Sequence, residues 1–320
     1  MRRRNFIAGL AGALGSAWLS TACGVRGTAA PPGAPAANGA PKRRRQAPPQ
    51  PPYRTAIELE GRLAGWAGAL GGARLPARRF AVPVPGHPPP APNFPRIFQP
   101  LVIAAGADMS PAFYAWMGSF FLAGPRPART GAVVSTDSAG RPVARRGWRG
   151  RVASVRLPAL SRADCSAASL AVEIAVESAW PENPGPRLDP RHFPPHSFRR
   201  CDFRLQIEGP ESAGRSVLRI APIVFRRSER AQPGGAVQAE TPRISPLVIT
   251  LPANRAGIFA AWFASGGDRA AQLALPGPRG RGLQFRFWGV RPQAEPRIAG
   301  AYATVQLAVA AATLRPAPRR

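Results

Sequence analysis

Pro100-Leu101-Val102-Ile103, followed by Phe113-Tyr114-Ala115-Trp116, decides the fold, because the chain states it twice. Pro246-Leu247-Val248-Ile249 and Phe259-Ala260-Ala261-Trp262 return with the same gap between apolar run and aromatic segment. Working outward, Ile57-Glu58-Leu59-Glu60-Gly61 precedes the first copy and Leu205-Gln206-Ile207-Glu208-Gly209 precedes the second. A repeat this long is not a solenoid period. It is an internal duplication of a β-rich unit carrying one helix. Leu101, Ile103, Phe113 and Trp116 define its core in the first copy, and Leu247, Ile249, Phe259 and Trp262 in the second.

The remaining elements follow from periodicity. Ser110-Pro111 pairs an N-cap hydroxyl with proline at the first helical position. Phe113, Trp116, Met117 and Phe120 then fall on one face of a helix. Ala132 to Ala144 reads as a hairpin turning at Asp137-Ser138-Ala139-Gly140, with a further strand predicted over Val152, Val155 and Leu157. Leu170, Val172, Ile174 and Val176 alternate with Ala171, Glu173, Ala175 and Glu177, a half-buried strand with solvated carboxylates. In the second copy a strand is predicted from Val217 to Phe225 and a buried strand from Leu247 to Thr250. Asn254 is predicted to cap a helix from Ala256 to Ala264, with Ile258, Phe259, Trp262 and Phe263 inward and Gly266 at its C-terminal cap. Gln272 to Leu275, then Leu283, Phe285 and Phe287, form the next strands, and Val305, Leu307 and Val309 the last.

The 320 residues suffice for two domains. The expected division is a signal segment 1–23, a disordered linker 24–52, domain one 53–184, a Pro-rich linker 185–200, domain two 201–315 and a basic tail 316–320. The net charge is +28, yet Lys42 is the only lysine, and Ala, Pro and Gly abound. That is the signature of a GC-rich coding sequence, which raises arginine without a ligand selecting it. Such a surface makes weak, nonspecific, salt-dependent contacts with anions. No basic helix or stacking platform sharpens them into nucleic-acid recognition.

At the N-terminus, Arg3, Arg4 and Phe6 sit as in a twin-arginine export signal, before a short Ala/Gly-rich apolar core. Leu19-Ser20-Thr21-Ala22-Cys23 has the form of a lipoprotein box, and lipidation of Cys23 would tether the chain to a membrane. Used, the signal places the protein in the periplasm or on the membrane; unused, it leaves a cytoplasmic or virion protein. Residues 24–52 are too rich in Pro, Ala, Gly and charge to bury a core.

Chemistry is sparse. His192 and His196 with Cys201 have metal-like spacing, but they stand in a proline loop without further converging ligands. No nucleophilic triad, phosphate loop or zinc framework is present in the pattern. The expectation is no metal, no cofactor and no enzymatic activity. Cys165 and Cys201 would pair in an oxidising compartment; otherwise they are two buried thiols.

Phe203-Arg204-Leu205-Gln206-Ile207-Glu208-Gly209, Pro246 to Ile249 with Phe259 and Trp262, and Met109-Ser110-Pro111-Ala112-Phe113-Tyr114-Ala115-Trp116 with Val155 to Leu160 resemble the tail-tube proteins of contractile-tailed phages and related injection systems. The resemblance implies a mainly β fold with one helix per repeat: two tandem tail-tube-like β-barrel or sandwich domains. It implies a structural, ring-forming role, with the chain itself and other tail or baseplate-like proteins as partners. Two units per chain imply a trimer of pseudo-six-fold symmetry. The second reading is an exported, lipid-anchored envelope protein that uses tube-like domains to bind an anionic partner.

Overall fold

A computed structural model describes residues 54–67, 70–71, 98–124, 127–188, 197–227, 229–231, 237–239, 241–277 and 282–316. Residues 49–320 form one compact unit. The first half contains β1 (Arg54–Leu59), β2 (Arg62–Ala67), β3 (Leu70–Gly71), β4 (Leu101–Ala105), helix α1 (Pro111–Ser119), β5 (Arg129–Thr136), β6 (Pro142–Leu157), β7 (Leu160–Ser161), β8 (Ala167–Ala168) and β9 (Leu170–Glu182). The second contains β10 (Phe198–Arg199), β11 (Arg204–Ile207), α2 (Glu211–Arg215), β12 (Arg219–Ile220), β13 (Ile223–Arg226), β14 (Glu229–Ala231), β15 (Val237–Ala239) and β16 (Arg243–Ile244). It continues with β17 (Leu247–Pro252), α3 (Ala256–Ser265), β18 (Arg269–Leu275), β19 (Leu283–Pro292), β20 (Arg297–Ala299), β21 (Tyr302–Ala308) and β22 (Ala311–Pro316). The protein is mainly β, with curled antiparallel sheets that form half-barrels.

Strand order is the same in the two halves: β1-β5-β6-β9-β4 in one, β11-β18-β19-β21-β17 in the other. Register agrees as well as order. Ile57 faces Val133 as Leu205 faces Leu273. Gly131 faces Trp148 as Ala271 faces Phe287. Leu101 faces Ile174 as Leu247 faces Leu307. Trp148 faces Ala179 as Phe287 faces Ala312, so β21 and β22 together correspond to the single long β9. A one-residue slip in any of these pairs would turn an apolar face to solvent, which is why the alternating pattern holds the register.

The helices occupy matching places between matching strands. Ser110 caps α1, its hydroxyl accepting from the Phe113 amide, with Pro111 at the first turn. Phe113, Trp116, Met117 and Phe120 are all buried. Trp116 stacks on Trp148 of β6 with ring centroids 5.8 Å apart. Gly131 permits this indole to lie across β5: a Cβ there would come within 2.3 Å of the Trp148 ring. Helix α3 ends at Gly266, whose positive φ of 67° and N–H bonds to the Trp262 and Phe263 carbonyls close it.

The expected segments 53–184 and 201–315 share sheets and core. β13 of the second half pairs with β6 of the first, and β7 of the first pairs with β12 of the second. One apolar cluster runs from Ile57 to Leu314.

Several expectations are corrected. Val217 to Phe225 is not one strand: it breaks at Ala221-Pro222, because proline has no N–H for a ladder, and β12 and β13 serve different sheets. Val152 to Leu157 belong to β6 and not to a further strand. Asn254 lies in a 3-10 turn, Ala253–Arg255, and no side chain caps α3. Phe263 is 39% exposed and so is not on the inward face. β22 was missed, its alternation hidden among alanines, and Pro316 closes that strand rather than starting a tail.

Candidate functional site

The chain's least ordinary surface is its own internal seam. Phe121 follows α1, Phe225 sits on β13, and Phe285 and Phe287 sit on β19. Phe121 meets Phe225 edge-on at 5.0 Å, and Phe225 stacks on Phe285 at 5.6 Å. These rings interleave the two halves. Above them, buried Arg227 reaches back from the second half and donates to the Leu122 and Gly124 carbonyls, just past the end of α1. A cation there complements the negative end of the helix. α1 also packs on β22, where a Cβ at Gly118 would sit 3.4 Å from the Leu314 carbonyl.

Other strand edges differ in their cover. α2 lies against β11, since a Cβ at Gly214 would approach the Leu205 carbonyl to 2.7 Å. β2 covers the matching edge of β1. β20 pairs only with β21 among the described residues, and all three of its residues are exposed, Ile298 at 64%. A strand edge without a neighbour is a template for another strand.

The buried charges are committed to structure. Arg145 bridges two carboxylates, Nη2 to Glu58 Oε2 at 2.6 Å and Nε to Glu182 Oε2 at 2.5 Å. Trp180 Nε1 donates to the other Glu182 oxygen at 2.7 Å. The hydrogen bond to Glu182, with the charge of Glu58 beside it, holds the Arg145 guanidinium above its ordinary pKa against the opposing effect of burial. Glu173 accepts from Ser154 at 2.6 Å, and Glu177 pairs with Arg149 and Arg151. Asp137 accepts from the Ala139 and Arg141 amides, a turn as its sequence suggests. An open concavity of about 340 Å³ over β11, β18 and β19 is lined by Gln206, Glu208, Gln272, Arg286 and Trp288. No nucleophile and base converge in it. Among the described residues no three His, Cys, Asp or Glu side chains gather as a metal site, and no helix is long and apolar enough to cross a membrane.

Leu101, Ile103, Phe113, Trp116, Leu247, Ile249, Phe259 and Trp262 are all buried. Leu101 and Leu247 stand at matching register positions of their sheets. Cys165 and Cys201 are disulfide-bonded, with Cα atoms 4.7 Å apart, beside the short β8–β10 ladder. Asp164 next to them accepts from the Ser166 amide, which holds its carboxyl below its ordinary value. Arg3, Arg4, Phe6, Cys23, His192 and His196 lie outside the described residues. Phe121, Phe225, Arg227 and Ile298 were not singled out by the sequence. Only the shift of Phe225 off the repeated pattern, beyond Pro222, could have marked the seam.

No protein-family model matches the chain, and no curated protein sequence matches it. What the fold itself shows is a mainly β protein of curled antiparallel sheets forming half-barrels, joined across an aromatic seam.

Proposed function

We propose that this chain is a structural, self-assembling protein: a ring-forming, tail-tube-like component of a phage or phage-derived contractile injection apparatus. Each chain supplies two tube-like lobes, and three chains supply six. The observation that carries the reading is the agreement of strand order and register between the halves. Two like lobes already joined strand to strand are what a chain needs if its function lies in its edges. Mass photometry and negative-stain microscopy of the purified chain test this. Rings of three chains are expected; single chains throughout the micromolar range would refute self-assembly, and six-chain rings would refute the two-lobes-per-chain arrangement.

A second reading has its own support. The Cys165–Cys201 bond suits an oxidising compartment, as does the twin-arginine pattern at Arg3 and Arg4. On this reading the lobes stand in the cell envelope, anchored through Cys23, and meet an anionic partner. Cell fractionation with intact-mass analysis would show a processed, membrane-associated form; an unprocessed soluble chain with reduced cysteines would refute it.

A further inference from the structure

The seam inside the chain is asymmetric. The first half offers the end of its helix and the edge of β6; the second offers β12, β13, β22 and the start of β19. The second half has its own copy of the face that the first half uses, and nothing described covers it. Met117 of α1 is fully buried, whereas Phe263, its counterpart on α3, is 39% exposed. Gly118, which lies against β22, corresponds to exposed Ala264. Arg297 of β20 faces Thr304 as Arg156 of β6 faces Ala171. Beside Arg156 stands β13; beside β20 nothing stands among the described residues.

Among the described residues the complementary face is equally bare on the first half. Leu314 of β22, which meets α1, corresponds to Pro181 on β9, and Pro181 is exposed, with its neighbour Trp180 37% exposed. Phe285, which meets Phe121, corresponds to exposed Arg146. The counterpart of Phe121 itself is Gly267, followed by exposed Asp268.

We infer that the bare face of α3 and β20 docks a second copy of this chain, on the β9 and β6 end of that copy's first half, repeating the internal seam between molecules. The inference rests on the self-assembly reading above and names its surface. The occupant follows from the lobes: only another first-half end presents the counterpart of what the seam already binds. The two faces are different surfaces, so the contact is head-to-tail and propagates until a ring closes, and does not stop at a two-fold dimer. The intermolecular version is also more polar. Arg146 with Gly267 stands where the seam has Phe285 with Phe121, and exposed Asp268 follows, as befits a face that must stay soluble before assembly.

The test places a cysteine on each face of the full chain. In a Cys23→Ser background, Ala264→Cys with Pro181→Cys is treated with a bismaleimide. Denaturing gels should show a ladder that ends at three chains, and neither single-cysteine variant should give one. Phe263→Glu should convert assembled species to single chains at unchanged thermal stability, since that side chain is exposed in the monomer. If wild-type chain assembles yet the double-cysteine variant does not crosslink and Phe263→Glu assembles normally, the surface is wrong and self-assembly stands. If wild-type chain never assembles, both fail together.

Discussion

Replacing Phe225 by alanine tests whether the two halves are one folding unit. The side chain is fully buried. Its ring lies 5.0 Å from Phe121, 5.6 Å from Phe285 and 6.5 Å from Phe287. Truncating a buried Phe costs about 3–5 kcal/mol in lost transfer and residual cavity, its lost ring contacts included. A total of about 4 kcal/mol is a large part of the ~5–15 kcal/mol that holds a typical domain folded. For a unit of this size that lowers the Tm on the order of 10 °C. Because Phe225 belongs to the second half and lines a core shared with the first, both halves should feel the loss. Amide exchange read at β4 and at β17 should accelerate together, by nearly a thousandfold at ~1.4 kcal/mol per decade, if exchange proceeds through global opening. Acceleration at β17 alone, or two separate thermal transitions with one unmoved, would refute a shared core.

Three further outcomes follow from the same geometry. Converting Cys165 and Cys201 together to alanine opens a loop with a sequence separation of 36; the chain-entropy relation gives a loss of about 4 kcal/mol, read as a lower urea midpoint, and no shift would show that the lobes alone hold the junction. Arg145→Met strands Glu58, which is only 5% exposed, and should cost about 3 kcal/mol; most of it should return in Arg145→Met with Glu58→Gln, measured by denaturant unfolding. Ser110→Ala removes the hydroxyl that accepts from the Phe113 amide and should cost about 1 kcal/mol, whereas Asn254→Ala, with no cap to lose, should fall within ~0.5 kcal/mol of wild type.

What the sequence revealed was whatever repeats. Leu101 with Ile103 and Phe113 with Trp116 announce themselves because Leu247, Ile249, Phe259 and Trp262 answer them; the apolar runs recover β4 and β17, and alternation recovers β9. The seam stayed hidden for the opposite reason. Phe225 and Phe285 belong to ordinary-looking strands, and pairing between β13 and β6 joins residues some seventy positions apart, a distance over which local periodicity carries no information. β22 escaped because alanine at Ala311 and Ala312 gives little hydrophobic contrast. Phe263 was misplaced because a helical face read in isolation is widest where aromatics cluster. Its exposure is visible only once α3 is set on its sheet.

The bond between Cys165 and Cys201 brackets the whole proline-rich crossing between the lobes. A protease that nicks the backbone anywhere between Ser166 and Arg200 would leave two fragments still fastened by sulfur and still clasped through β13 and β6. Such a clipped protein would run at full size on a denaturing gel until reductant was added, and only then as two fragments.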